Sequence, residues 1–499
     1  MARIWQEGFE DGLPNAGYLE GNPYSQYVND VTIAYAGSQC SLSSGRNVYS
    51  ENSLRMDGSF SQNEGITKIF NSEYIESYFR IYYKNYGGTD TDEAVVQAKD
   101  ISGNVLYRVA PSSAGIYSFS VRISGTLTSI GTFAMTGDQW HKVEVYFKGN
   151  SSTGAYELRV DNISIYSANS QNTGSNGIKI IFSGATSSAV MYRYIDDIAF
   201  NDTSGTINNS WCGDGTIVSL KPKSSGNKSQ WDTCEGYAKG ESGTSTTNIK
   251  VTGHGLATND VIYNKSRDAY RIITYVDADN FTVSSVTGQT TNDIILLYKN
   301  VATIAATTGT GANYVVIPGH TMQSGDVIVN TSRSNAIRRV IYVNANIVVQ
   351  YSSAFGGSAV TSQTSGDSIK TFAFTPYAIT NHYEAVANQT DPSPKLSYVN
   401  STTLNDIDTY DMEELTADKS IPSGASIVAL SHNTYAQEAG AGSEFKPVFR
   451  ISSTDYEGTT VSLSGGTLQY QQIYETSPAT SSAWTRAEVD GLEAGVKLV

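Results

Sequence analysis

Alternation of apolar and polar residues is clearest in residues 140–148, which read Trp-His-Lys-Val-Glu-Val-Tyr-Phe-Lys. Successive side chains of a β-strand point to opposite faces, so Val143, Val145 and Phe147 fall on one side. The side chains between and after them are glutamate, tyrosine and lysine. The stretch therefore predicts a half-buried strand whose three apolar residues lie in a core.

The same alternation continues on both sides of this strand. Residues 156–161 and 78–84 each place apolar or aromatic side chains at every second position. The predicted inner residues are Phe79, Ile81, Tyr83, Tyr156, Leu158 and Val160. Short strands of this kind, separated by Gly, Asn and Ser turns, are typical of a β-sandwich. Residues 1–208 are therefore predicted to form one sandwich.

The composition favours an all-β protein with several modules. A chain of 499 residues suggests about three domains. Its 33 tyrosines and 45 glycines suit strands and turns, respectively. No apolar run approaches the roughly 20 residues that a membrane-spanning helix needs. We therefore expect no insertion into a membrane.

Charge and cysteine content limit the choice of partners. The formal net charge is −15, which repels nucleic acid unless a basic patch compensates, and no such patch is visible. The start of the chain, residues 1–5, lacks the features of a secretory signal, so folding in a cytoplasm is expected. Cys40, Cys212 and Cys234 lack the spacing of a zinc site or a disulfide framework. We interpret them as buried thiols.

Five segments of residues 1–208 form a pattern of definite order and spacing. They are Gly8-Phe9-Glu10-Asp11, Ser53-Leu54-Arg55-Met56, residues 137–145, residues 156–162 and Ile195-Asp196-Asp197-Ile198-Ala199-Phe200. In this order and spacing they resemble concanavalin-A-like (laminin-G-like) jelly rolls. The resemblance implies a jelly roll whose first and last segments pair in one sheet.

Three further segments follow the jelly-roll region: Trp211-Cys212-Gly213-Asp214-Gly215, Ser229-Gln230-Trp231 and the ending from Ser477 to Trp484 and beyond. With these segments, the rest of the chain resembles a domain of tailed-bacteriophage tail and head-appendage proteins. The resemblance implies a structural protein of the virion, made in the host cytoplasm. It also implies a second β-sandwich, split between residues 209–244 and 373–499.

The intervening stretch contains an internal repeat. Gly253-His254 and Asp260 recur 66 residues later as Gly319-His320 and Asp326. Asp293 likewise recurs as Asp367 within a similar turn. The repeat predicts two tandem small β-modules, residues 245–310 and 311–372. The resemblance to appendage proteins implies that they are an insertion into the second sandwich.

No catalytic constellation is recognised. The paired carboxylates of a glycoside hydrolase alternate on a strand, whereas the acids found here are interpreted as solvated turn residues. These are Glu7, Glu10, Asp11, Glu413 and Glu414. His254 and His320 stand alone in their modules, and Asp196-Asp197 alone offers too few ligands for calcium. We therefore predict no enzyme activity, no metal and no cofactor.

The outward residues Tyr78, Arg80 and Tyr82 are candidate glycan contacts, because sugars stack on aromatic and Arg side chains. The preferred hypothesis is a tail-associated protein (fibre, spike or minor tail protein) that contacts host-surface polysaccharide. The alternatives are a capsid head-fibre or decoration protein and, less favoured, a polysaccharide depolymerase. Expected partners are other virion proteins and copies of the chain itself. A trimer would be held by sheet faces or edges, since no heptad seam is present.

Overall fold

The computed structural model describes residues 3–8, 24–28, 31–35, 40–46, 52–57, 64–86, 94–185, 192–231, 233–236, 238–267, 269–291, 293–306, 314–317, 322, 326–333, 336–343, 348–351, 364–375, 377–378, 382, 386, 398–436, 442–463 and 468–499. Strands make up 57% of the structure and helices 3%, which confirms the predicted all-β class. Within these ranges, no helix has the length and apolar character needed to cross a membrane.

The N-terminal strands build two facing sheets. They are β1 Arg3–Glu7, β2 Tyr24–Val28, β3 Val31–Tyr35, β4 Cys40–Ser44, β5 Asn52–Asp57, β6 Glu64–Tyr74, β7 Glu76–Tyr86, β8 Ala94–Lys99, β9 Val105–Ser113, β10 Ile116–Ile123, β11 Thr126–Ala134, β12 His141–Lys148, β13 Gly154–Val160, β14 Ile163–Gln171, β15 Ile178–Ala185 and β16 Tyr192–Asp202. The front sheet has the order β14-β13-β12-β7-β16-β5-β4, with β1 paired to β16. The back sheet begins β11-β10-β9-β8-β15-β6-β3-β2.

The core of this jelly roll lies between the two sheets. All the predicted inner residues are buried there, including Val143, Val145 and Phe147 of β12. Trp5 of β1 pairs with Phe200 of β16, so the residues just before Gly8 pair with the last segment. Phe9, Glu10 and Asp11 of the first segment lie outside the described residues.

The C-terminal region forms a second sandwich. Its strands are β31 Tyr398–Asn400, β32 Ile407–Met412, β33 Leu430–Ala436, β34 Glu444–Ile451, β35 Thr454–Glu457, β36 Val461–Ser462, β37 Leu468–Tyr474 and β38 Glu493–Leu498, and its helix α1 is Arg486–Asp490. Strand β17, Pro222–Ser229, joins four of these strands in a C-terminal sheet of order β17-β32-β38-β34-β35. Strand β36 pairs with β34 of this sheet. Strands β33 and β37 pair antiparallel and extend the back sheet through β2. Phe449, Trp484 and Val489 share a core with Leu430 of β33 and Tyr474 of β37.

The ends of the insertion lie side by side. Strand β18, Thr233–Gly236, pairs with β30, Tyr377–Ala378, so that Gly236 is opposite Tyr377. Strand β18 also pairs with β31 of the C-terminal region. A chain can leave and re-enter a domain at such neighbouring points without disturbing its ladders. Independent folding of residues 209–244 with 373–499 stays a prediction.

The inserted strands share one insert sheet. They are β19 Ala238–Lys239, β20 Asn248–Lys250, β21 Val261–Asn264, β22 Ala269–Tyr275, β23 Asn280–Val283, β24 Ile294–Ala305, β25 Tyr314–Val316, β26 Val327–Asn330, β27 Ala336–Val343, β28 Val348–Tyr351 and β29 Ser368–Thr375; a 3₁₀ turn spans Lys265–Arg267. Because β19 pairs with β24 and β29 reaches Thr375, the sheet extends a few residues beyond the predicted limits 245 and 372.

The insert sheet has approximate two-fold symmetry. Its order is β20-β23-β22-β21-β24-β29-β26-β27-β28-β25, so equivalent strands of the two repeats occupy equivalent places from either end. The equivalent acids Asp293 and Asp367 are 74 residues apart, and so are Lys299 and Ala373, which pair directly at the centre. Two similar β-modules therefore exist, as predicted. Gly319 and His320, part of the predicted repeat signature, lie outside the described residues.

A polar network repeats in both modules. Asn264 Nδ2 and Arg267 Nε each donate to Asp293 Oδ2 at 3.0 Å. The same contacts recur among Asn330, Arg333 and Asp367. The sequence repeat identified the aspartates, but not the asparagine and arginine that hold them.

Candidate functional site

The outward side chains of β7 face a covering segment instead of solvent. We call residues 211–217, which follow β16, the strap. Under it, Arg80 is only 3% exposed and Tyr82 only 7% exposed. Tyr78 is half-buried. The expectation that Arg80 and Tyr82 lie open to a glycan is therefore wrong, because a segment more than 120 residues later covers this face.

Backbone groups of the strap bind the charged side chains beneath them. Arg80 Nη1 donates to the carbonyl oxygen of Gly213, and the Gly213 amide donates to Glu144 Oε1, both at 3.0 Å. Arg80 Nε donates to the carbonyl oxygen of Asp197. Cys212 is buried at this contact, as the sequence predicts, and burial raises the pKa of its thiol. Arg80 and Glu144 thus anchor one residue of the strap from both sides.

A β-bulge in β16 supplies the second anchor. The register between β16 and β7 shifts between Asp196 and Ala199, and Asp197 has a left-handed φ of 48°. Asp197 Oδ2 accepts from Arg46 Nη2 at 2.9 Å, and its Oδ1 accepts from the Ile217 amide at 2.6 Å. Asp196 Oδ2 accepts from the Arg46 amide. The guanidinium of Arg46 therefore neutralises the buried carboxylate of Asp197. The described residues contain no cluster suited to a metal.

The charged side chains under the strap form ion pairs with one another and with the strap. Lys142 Nζ lies 2.8 Å from Asp214 Oδ1 and 3.2 Å from Glu144 Oε2, and both Lys142 and Glu144 are buried. The hydrogen bond from Lys142 holds the pKa of Asp214 below its usual range. Burial raises the pKa of Tyr82 to about 12, although Arg46 and Arg80 oppose that shift.

One end of the strap exposes part of an aromatic cluster, which we define as Tyr78, Tyr146, Trp211 and Arg159. The rings of Tyr78 and Tyr146 stack at 4.8 Å between centroids, and Trp211 meets Tyr78 edge-on at 5.3 Å. The Arg159 guanidinium lies 3.8 Å from the centre of the Trp211 ring. All four side chains are half-buried. The cluster therefore keeps part of its apolar surface in contact with solvent.

Two ion pairs border the aromatic cluster. Lys148 Nζ lies 2.9 Å from Glu76 Oε2, and Arg159 Nε lies 2.7 Å from Glu157 Oε1. Glu76 Oε1 also accepts from the Tyr146 hydroxyl at 2.7 Å. Partly exposed rings beside carboxylates can bind the apolar face of a sugar and accept hydrogen bonds from its hydroxyl groups. Sequence reasoning found Tyr78 but missed Tyr146, which alternation had placed on the same face, and Trp211, which lies in the strap.

A second polar constellation does not have the geometry of a catalytic triad. His382 Nδ1 lies 2.7 Å from Asp408 Oδ2 and 3.3 Å from Ser229 Oγ. A nucleophile and an orienting carboxylate must contact different ring nitrogens for the histidine to relay a proton. Here both use Nδ1, so these contacts do not form a relay. Burial raises the pKa of the Asp408 carboxyl.

Other candidate residues from the sequence form hydrogen bonds or ion pairs within the protein. His254 Nδ1 accepts from the Leu256 amide, which leaves Nε2 to donate to the Asp277 carbonyl oxygen. Glu413 accepts from the Lys221 amide, and Glu414 pairs with Lys223. Glu10, Asp11 and His320 lie outside the described residues.

Comparison with known proteins gives likenesses of fold only. No protein-family model matches the sequence, and no curated protein matches it. Among solved structures, the cellulose induced protein Cip1 is 12% identical, with 42% of this chain and 100% of that chain covered and a TM-score of 0.30. The botulinum neurotoxin serotype D binding domain is 14% identical over 81% of this chain and 98% of that one, with a TM-score of 0.29. The carbohydrate binding module CBM66 from Bacillus subtilis is 8% identical over 33% and 92%, with a TM-score of 0.24. Similarity at this level carries no functional information.

Proposed function

We propose that this chain is a tail-associated structural protein of a tailed-bacteriophage virion and that it contacts host-surface glycans through the aromatic cluster. The observation that carries the glycan contact is the half-exposed group Tyr78, Tyr146 and Trp211 beside two carboxylates. An aromatic surface that stays partly solvated on an otherwise polar face is suited to a ligand with one apolar and one polar side.

The cluster is built to bind and not to react. Its carboxylates, Glu76 and Glu157, are each paired with a cation at less than 3 Å. A glycoside hydrolase needs one carboxyl group that is available to donate a proton to the leaving oxygen. We therefore propose binding without turnover, in preference to a depolymerase.

The virion assignment is supported by the resemblance of residues 211–231 and 477–484 to phage appendage proteins. It is also consistent with β-modules joined through shared sheets, such as the back sheet that continues from β2 into β37. Electron microscopy of phage particles labelled with an antibody against this chain tests it. Label on the tail supports the proposal, label on the head favours the decoration protein, and unlabelled particles contradict both.

Glycan binding is tested by titrating polysaccharides from susceptible bacteria against the purified chain in a calorimeter. The variants Tyr146→Ala and Trp211→Ala should each weaken binding about tenfold, because a ring contact contributes about 1 kcal/mol beyond its buried area. Trp211→Phe, which keeps a ring in the strap, should retain most of the affinity.

Tyr275→Ala is the matched control, because Tyr275 is 45% exposed in the insert and remote in sequence from the cluster. Its affinity should equal that of the unmodified chain. Equal binding by all four variants would remove the aromatic cluster from the proposal. Release of reducing sugar that is lost on changing one carboxylate would favour the depolymerase.

A further inference from the structure

Lys142, on the outer face of β12, is buried beneath the strap beside three side-chain oxygens. Its side chain is only 3% exposed. The Lys142 Nζ lies 2.5 Å from Asn162 Oδ1, 2.8 Å from Asp214 Oδ1 and 3.2 Å from Glu144 Oε2. An ammonium group that loses a proton becomes a primary amine, which is a nucleophile toward a carbonyl carbon. The site therefore brings together a lysine amino group, a carboxamide and two carboxylates.

Asn162 is held over this amino group by a tight turn. Asp161 and Asn162 connect β13 to β14, and their φ values of 51° and 70° are those of the two central residues of a type I′ turn. The turn is fixed to β12, because the Asp161 amide donates to the Lys142 carbonyl oxygen and Asp161 Oδ1 accepts from the Lys142 amide, both at 2.9 Å. A C=O bond is about 1.23 Å long, so Cγ of Asn162 lies within about 3.7 Å of Lys142 Nζ. That distance is close to the roughly 3–3.5 Å from which positioned groups react.

Glu144 is placed to move the protons that such a reaction requires. It lies two residues after Lys142, so both side chains project from the same face of β12, and its side chain is also buried. Glu144 Oε1 accepts from the Gly213 amide, which leaves Oε2 facing Lys142 Nζ. Their separation of 3.2 Å allows direct proton transfer. Transfer from the ammonium to the carboxylate converts two buried charges into an uncharged pair.

Asn162 is a better acceptor of the amine than Asp214. The hydrogen bond from Lys142 holds the pKa of Asp214 below its usual range, so that carboxyl group stays ionised. The carbon of a carboxylate is a weak electrophile, because the charge on its oxygens opposes attack. The Asn162 carboxamide carries no charge. Asn162 is also exposed, so ammonia can leave to solvent.

We propose that Lys142 and Asn162 become joined by an isopeptide bond, with Glu144 transferring the protons. Glu144 accepts one proton from the Lys142 ammonium, and the lone pair of Nζ attacks Cγ of Asn162. The bond between Cγ and Nδ2 then breaks, as Nζ loses a second proton and Nδ2 gains one. The released ammonia takes the proton held by Glu144 and leaves as ammonium, so the carboxylate is restored and nothing is oxidised or reduced. The bond closes a covalent loop from β12 to the turn after β13, which restricts the unfolded chain and so stabilises the folded one.

Mass spectrometry of the purified full-length chain tests the bond directly. The intact protein should be lighter than its sequence requires by one ammonia molecule, about 17 Da. Trypsin does not cleave after an acylated lysine, so the digest should contain residues 123–148 linked to residues 160–179.

Three variants identify the groups that take part. Glu144→Gln keeps an oxygen for the Gly213 amide but cannot accept a proton, and Asn162→Ala removes the acceptor, so both should show the full mass of their sequences. Asn169→Ala, at an exposed position of β14, is the matched control and should remain lighter by one ammonia molecule. Circular dichroism checks that each variant is folded. The mass of the unmodified chain decides the proposal even where a variant does not fold.

Four results would overturn this assignment. One is an unmodified chain with its full mass. Another is loss of ammonia together with normal cleavage after Lys142, which would indicate a cyclic imide at Asn162 formed by its own backbone. Loss of one water molecule, about 18 Da, would place the bond at Asp214. Loss of ammonia that persists in folded Glu144→Gln would remove Glu144 from the reaction.

Discussion

The inner and outer faces of the front sheet are both buried, but they are buried by different means. On the inner face, Phe79 and Phe147 pack in the jelly-roll core. On the outer face, Arg80, Lys142 and Glu144 are covered by the strap. Burying an apolar side chain stabilises the fold without any specific partner, whereas burying a charge destabilises the fold unless that charge is paired. The outer face therefore depends on specific partners in a way that the inner face does not.

Removing an inner side chain should have the largest effect on the free energy of unfolding. Phe147→Ala should lower the free energy of unfolding by about 4 kcal/mol, because it removes a fully buried ring and leaves a cavity. Chemical denaturation followed by fluorescence measures this change. The adjacent outer residue gives the control: Tyr146→Ala should cost only about 1 kcal/mol, since that ring is half-buried. Equal costs at the two positions would contradict the distinction between the faces.

Alternation in the sequence predicts the side to which each residue points, but not what covers it. It placed Val143, Val145 and Phe147 inside and Arg80 and Tyr82 on the opposite face, and both placements hold. The cover on the outer face depends on hydrogen bonds between side chains of one segment and backbone groups of another. Backbone groups are the same at every residue, so no residue pattern marks the segment that will dock.

The two repeats also show that a sequence pattern does not predict which segments come together in space. The sequence repeat predicted two similar modules, because Asp260 and Asp293 recur at equivalent positions. It did not predict that β24 and β29 would pair at Lys299 and Ala373 and join the modules in one sheet. Pairing between strands of different repeats depends on their relative placement in space, which periodicity within each repeat does not encode.

Removing a charge from the outer face should give an intermediate effect. Arg80→Met should lower the free energy of unfolding by about 2–3 kcal/mol, because two carbonyl oxygens lose a buried charged donor and Glu144 loses a nearby cation. The strap should also become accessible, so limited proteolysis should cut within residues 203–217. Lys84→Met on the same face of β7 is the control. Its ion pair with Asp138 is partly exposed to solvent, so its loss should cost less than about 1 kcal/mol. Unchanged proteolysis in Arg80→Met would show that the strap is held without Arg80.

The smallest effect should appear only at alkaline pH and only on the outer face. Burial raises the pKa of Tyr82 to about 12, compared with 10.0 for an unperturbed tyrosine. Between these values the unfolded chain releases the proton and the folded chain keeps it, so the stability linked to Tyr82 is present below pH 10 and is lost as the pH rises through 12. By about pH 11.5 the loss should approach 2 kcal/mol.

The variant Tyr82→Phe tests this loss. Its side chain cannot ionise, but it gives up the hydrogen bond that Tyr82 makes to Asp214 at 3.2 Å. The variant should therefore be about 0.5–1 kcal/mol less stable than the unmodified chain at pH 8 and more stable near pH 11.5. Urea denaturation of both proteins across this range measures the crossing, and Tyr275→Phe, at an exposed position, should show none. Parallel stability curves for Tyr82→Phe and the unmodified chain would mean that Tyr82 is open to solvent, and the strap would then not cover the outer face.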